Sequence, residues 1–119
     1  MQYLALLYGD EEAAKNDTPE QQQAEIAAYF VFNDHARSQG ALRGGEALMP
    51  STTAKSVRVR DGETLVTEGP FAETREVLGG FYLLECETEE QAIELASRIP
   101  AAQNGTVEIR PIMLIPGDG

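Results

Sequence analysis

Gly79-Gly80-Phe81-Tyr82-Leu83-Leu84-Glu85-Cys86-Glu87 runs directly into Thr88-Glu89-Glu90-Gln91, and the change of pattern between the two stretches decides the fold. The first stretch is rich in aromatic and aliphatic residues and reads as a core strand, with Tyr82, Leu84 and Cys86 alternating onto one face. The second is a capping box, in which a threonine covers orphan amides and a glutamine three residues on reaches back. Behind it Ala92, Leu95, Ala96 and Ile99 recur at i, i+3, i+4 and i+7, the stripe of an amphipathic helix, and Pro100 ends it. Thr106 to Met113 returns as a strand, with Val107 and Ile109 on one face and Glu108 and Arg110 on the other.

The first half of the chain repeats the same grammar. Residues 2–8, Gln-Tyr-Leu-Ala-Leu-Leu-Tyr, form an apolar run closed by Gly9-Asp10, which predicts a central strand buried on both faces. Thr18-Pro19-Glu20-Gln21 combines a cap, a proline at the first helical position and a second capping box. The helix it opens is expected to reach about Gln39, where Gly40 supplies a left-handed stop. Ile26, Tyr29, Phe30, Val31 and Phe32 cover more than one stripe of it, so a wide face is expected to be buried against sheet and partner. Residues 41–49 read as extended, with Gly44-Gly45 inside and Pro50 as the break. Ser56-Val57-Arg58-Val59-Arg60 and Glu63-Thr64-Leu65-Val66-Thr67 then flank Asp61-Gly62, a hairpin signal because both turn positions need positive φ. Glu68 to Leu78 reads as a loop.

The order is β-α-β, a β-hairpin, then β-α-β. Without the hairpin a βαββαβ pattern remains, which is ferredoxin-like α+β: one sheet with both helices on one face. The other sheet face is left bare. Two copies packed sheet to sheet would cover it, so a homodimer built as a dimeric α+β barrel is expected.

Composition narrows the function classes. The 119 residues suit one domain, residues 1–119, with a loose tail from about residue 116. Twenty acidic residues against nine basic ones give a formal charge of −11, which opposes phosphate backbones and anionic membrane alike. Neither nucleic acid nor membrane is an expected partner. A lone cysteine closes no intramolecular disulfide, and the start of the chain lacks the pattern of a secretory leader, so a cytoplasmic location is expected.

Glu68-Gly69-Pro70-Phe71-Ala72-Glu73-Thr74-Arg75-Glu76-Val77-Leu78-Gly79-Gly80-Phe81-Tyr82 resembles the signature of the YCII-related, DGPF-type family, with Glu68 at the usual opening aspartate. Agreement continues in order through Tyr8-Gly9, Gly44-Gly45-Glu46-Ala47-Leu48, Val57-Arg58-Val59-Arg60-Asp61-Gly62, Arg98-Ile99-Pro100-Ala101-Ala102 and Gly105 to Pro111. The resemblance implies a dimeric α+β barrel. It also implies, for shorter relatives, a histidine early in the first helix acting with an aspartate just after the second. Here those places read Thr18-Pro19-Glu20-Gln21 and Ile99-Pro100-Ala101-Ala102, so that pair is absent and no mechanism built on it carries over. Members of this branch are often encoded beside extracytoplasmic-function sigma factors, which implies a regulatory setting and a sigma factor as a partner.

The remaining chemistry is sparse. His35, the sole histidine, falls near the end of the first helix and suits a structural or surface role. Cys86 suits a small buried apolar residue. One histidine and one cysteine make no zinc site, no calcium loop is present, and neither glycine pair opens a helix as a phosphate cradle would. No metal or cofactor is therefore expected. Glycine inside a strand marks a bulge or a close backbone approach. The loop from Glu68 to Leu78 holds the best candidates: Glu73 as acid or base, Arg75 as an anion clamp and Phe71 as a pocket wall. The alternative is a plug in which Phe71 fills core and Glu73 caps or pairs with Arg75. Glu46 is the second candidate carboxylate, and Tyr8, Arg58 and Tyr82 complete the candidate ligand-binding set. Two functions follow. One is metal-independent acid–base chemistry by Glu73 and Glu46 on a small organic molecule, anionic or cyclic, oriented by Arg58 or Arg75. The other is a non-catalytic ligand-binding or regulatory dimer using the same cleft.

Overall fold

The computed structural model describes residues 1–117; Asp118 and Gly119, the end of the expected loose tail, lie outside the described residues. Six strands and four helices follow in the order β1 (Gln2–Gly9), α1 (Glu11–Ala14), α2 (Pro19–Ser38), β2 (Leu42–Ala47), β3 (Lys55–Arg60), β4 (Glu63–Glu68), β5 (Val77–Glu85), α3 (Glu89–Ser97), α4 (Ala101–Asn104) and β6 (Thr106–Pro111), with a single 3₁₀ turn at Ser51–Thr53. The main sheet is antiparallel in the order β2-β5-β1-β6. Each βαβ half is thus split by a strand of the other half, which is the ferredoxin-like arrangement.

The termini of α2 form as their residues dictate. Thr18 accepts from the Gln21 amide and Gln21 answers to the Thr18 amide, a complete capping box, and Gly40 closes the far end at φ 67°. At α3 only half of the expected box forms. Thr88 accepts from the Gln91 amide, but the Gln91 side chain takes the amide of Glu87 instead of that of Thr88. α1 and α4 stand where no helix was expected. For α1 the signal was present in Asp10, whose carboxylate caps the amides of Glu12 and Ala13.

One face of the sheet carries the core. Tyr3, Ala5 and Leu7 of β1, Leu84 of β5 and Cys86 just beyond it pack against Phe32 and Ala36 of α2 and Ala92, Leu95 and Ile99 in and after α3. β1 is therefore buried on one face only, because Leu4 and Leu6 on the other remain half-buried. Leu4 pairs with Leu83 and Arg110, and Leu6 with Phe81 and Glu108. Across β5, Leu83 meets Gly44 and Phe81 meets Glu46. The outer face is thus an apolar strip two strands wide with charge on its flanks. β5 begins at Val77, two residues earlier than its glycines suggested, with a register shift opposite Leu7 and Tyr8.

One glycine of each pair makes the close approach expected of glycine inside a strand. A β-carbon on Gly45 would lie 2.6 Å from Tyr82 Cδ1, and one on Gly80 would lie 2.9 Å from the carbonyl oxygen of Glu46. The hairpin also forms as read. Asp61 and Gly62 turn at φ 51° and 78°, and Val57 faces Val66 across the ladder. It forms a two-stranded sheet of its own and stands away from the body. Consistent with that, the radius of gyration is 16.5 Å, whereas roughly 13.5 Å is usual for a compact chain of this length.

Candidate functional site

Followed toward its N-terminus, α2 loses contact with the sheet. Its sheet-facing stripe is Ile26, Tyr29, Phe32-Asn33 and Ala36. Phe32 and Ala36 are buried, Tyr29 and Asn33 half-buried, and Ile26 is 57% exposed. The wide buried face expected of this helix is therefore absent within the chain, and Phe30 and Val31 are exposed as well. Beneath the lifted half lies a cavity of about 650 Å³, walled by α1, α2, the ends of β1, β2 and β5, and α4. That volume lies inside the ~300–1,000 Å³ typical of small-molecule sites.

Tyr29 and Phe30 of α2 and Tyr82 of β5 bring aromatic rings to the lining, while Tyr8 and Phe81 border it from strand positions that alternate to the opposite face of the sheet. The Tyr82 ring packs tilted against Phe32 with centroids 5.0 Å apart, and its hydroxyl donates to Asn33 Oδ1 at 2.6 Å. Burial pushes the Tyr29 phenol up to about 12, helped by the negative charge of Glu25, while the Ala101 amide opposes the rise. Burial raises Tyr82 too. Both phenols are thus protonated donors at neutral pH.

Four carboxylates, those of Asp10, Glu11, Asp17 and Glu25, reach the walls, and two of them have structural work. Asp10 caps α1 and takes Arg75 Nε at 3.3 Å; the Ala13 amide, followed by Arg75, holds its carboxyl below the usual range. Glu11 accepts the Ser51 hydroxyl at 2.5 Å and the Ser51 amide at 2.8 Å, which lowers its carboxyl and ties α1 to the 3₁₀ turn. Asp17 and Glu25 have no side-chain hydrogen-bond or ion-pair partner among the described residues, and none of the lining residues is Lys, Arg or His.

Three of the candidates chosen from sequence border the cavity, Tyr82 from the face under α2, and Glu46 and Tyr8 from strand positions whose side chains alternate to the opposite face. Arg75 reaches the rim through Asp10. Glu73 is exposed and lies off the cavity wall, so the two candidate carboxylates are not brought together. Phe71, 82% exposed, and Arg58 border a separate hollow of about 310 Å³ beside β3. Phe71 therefore fills no core, and the plug reading of that loop finds no support. His35 sits in the last turn of α2 within 3.2 Å of the Gln39 amide nitrogen, off the cavity wall. Cys86 is buried in the core, where burial pushes its thiol up and away from nucleophilic use. Tyr29, Asn33 and Glu25 were missed by sequence reasoning, although Tyr29 and Asn33 stand four residues apart on the stripe that faces the sheet.

The YCII-related domain matches residues 1–116, all but the last three positions. The chain belongs to the YCII-related domain family. An uncharacterized protein of Rhizobium meliloti (strain 1021) is 34% identical over 121 residues, an alignment that takes in 99% of this chain and 98% of that protein. In this YCII-related chain the segment after α3, where shorter relatives are thought to carry an aspartate, puts Ala101 on the cavity wall. Among the described residues no helix is long and apolar enough to cross a membrane.

Proposed function

We propose that this YCII-related domain binds a small organic molecule in the cavity under α2 and does so as a homodimer. One observation carries the first part: a space of about 650 Å³ bordered by the rings of Tyr29, Phe30 and Tyr82, in which the Tyr29 phenol, the Asn33 amide group and the carboxylates of Asp17 and Glu25 are the polar groups available for orientation. A mostly apolar pocket with a few convergent polar groups is the usual form of a ligand site. The dimer is supported by the strip of Leu4, Leu6, Phe81 and Leu83 on the helix-free face, flanked by Glu108, Arg110 and Glu46. An apolar centre with a polar rim is the anatomy of a protein interface.

The experiment is a thermal-shift screen of small organic molecules spanning anionic, neutral and cationic classes, repeated on Tyr82→Phe and Phe30→Ala. A ligand at about 100 times its Kd adds roughly 2.7 kcal/mol of stability, a readily measured rise in midpoint. Hits weakened by either substitution support the cavity. Hits indifferent to both, or none in any class, overturn it. Light scattering on the wild type and Leu6→Glu tests the dimer, which is sunk if both run as monomers.

A further inference from the structure

We infer that the ligand class is an organic cation, a protonated or quaternary amine; this rests on the reading of the cavity as a small-molecule site. Tyr29, Phe30 and Tyr82 turn their rings toward this one space. Aromatic faces carry negative quadrupole potential and attract cations, most effectively large ammonium ions that shed their water easily. The same walls hold two carboxylates without partners, Asp17 between α1 and α2 and Glu25 on α2.

No lining residue is basic, and the one arginine at the rim, Arg75, is already joined to Asp10. A carboxylate or phosphate entering here would meet like charge from several sides with no cation to receive it. A neutral guest would leave the aromatic walls satisfied but the carboxylates unused. The carboxylates are also dispersed: among the described residues no group of three or more His, Cys, Asp or Glu stands close enough to hold a metal ion. Diffuse negative charge around an aromatic space suits a diffuse positive guest. Tyr29 and Tyr82 reinforce this, since burial raises both phenols and keeps the rings uncharged beside the guest.

The test compares choline with its neutral tert-butyl isostere, in which carbon replaces nitrogen, and adds benzyltrimethylammonium as a larger cation. Affinities are measured by calorimetry on the full chain at low and moderate salt. Cation–π and carboxylate contacts together are expected to favour choline over the isostere by about tenfold or more. Glu25→Gln should weaken the cations while leaving the isostere nearly unmoved. Phe30→Ala should weaken all three, and because Phe30 is 63% exposed its loss does not hollow the core. An isostere that binds as tightly as choline overturns the cation class, and so does failure of both cations at millimolar concentration. If neutral molecules from the wider screen still bind and Tyr82→Phe still weakens them, the cation class falls while the cavity stands. If nothing of any class binds, both fall.

Discussion

The Tyr82 hydroxyl on β5 and Asn33 Oδ1 on α2 lie 2.6 Å apart, the one side-chain hydrogen bond among the described residues that joins the long helix to the main sheet. It sits where α2 passes from packed to lifted. Tyr82→Phe removes the donor and leaves Asn33 half-buried with one partner fewer, at a cost of about 1 kcal/mol. The midpoint should fall by a few degrees, and Asn33→Ala should cost a similar amount. The double variant decides the matter. If the bond holds the cavity in shape, the two losses are less than additive; strict additivity would show that the two groups act separately.

The glycine pairs give a prediction with its control built in. Gly45→Ala and Gly80→Ala each force a β-carbon against backbone or ring where β2 meets β5. Overpacking of this kind costs about 1–3 kcal/mol. Gly44→Ala meets open space, and Gly79→Ala meets only the Leu7 carbonyl oxygen at 4.0 Å, so both should be near neutral. Denaturant midpoints on the four single variants check this. Equal losses within each pair would show that strand conformation, not close approach, selects the glycines.

Much of the fold was legible because local chemistry and tertiary role coincide. Thr18 with Gln21, Gly40, and Asp61-Gly62 each do in three dimensions what their spacing demands. The cavity was not legible, for a physical reason. Ile26 and Phe30 carry the same apolar signal whether they face a packed sheet or the mouth of a hollow, and only the splay of α2 decides between the two. The signature loop misled in the opposite direction. Phe71, Glu73 and Arg75 have the residue types of a site, yet only Arg75 comes near the cavity, through Asp10. Glu46, Tyr8 and Tyr82 stand beside glycine-bearing strand ends that border the cavity.

Acid should loosen the end of the cavity held by α1. The Glu11 carboxyl lies below its ordinary value of 4.5 because Ser51 donates to it twice. A group depressed on folding contributes stability above its unfolded value and loses it as pH falls through the folded one. The contribution is thus complete above about pH 4.5 and declines below it. Asp10, depressed chiefly by the Ala13 amide and by Arg75, acts in the same direction. Glu11→Gln should therefore show a shallower loss of stability between neutral and acid pH than the wild type. Parallel curves for the two proteins would remove Glu11 from the account.

The β3–β4 hairpin offers the last and most discriminating substitution. Gly62 turns at φ 78°, a conformation that costs an alanine about 1–2 kcal/mol. Within one chain the hairpin pairs only with itself, and Val57, Val59 and Val66 are all more than half exposed. A two-stranded ribbon of this kind is marginal in water and can open without the body. Gly62→Ala should therefore speed amide exchange across residues 55–68 while moving the global midpoint by no more than about 0.5 kcal/mol. A global loss as large as the local one would mean that the hairpin unfolds with the core. Since its own chain gives its valines no cover, that outcome would place the cover on a second copy. The loss should then vanish on dilution, as the dimer dissociates and the hairpin is left unsupported in wild type and variant alike.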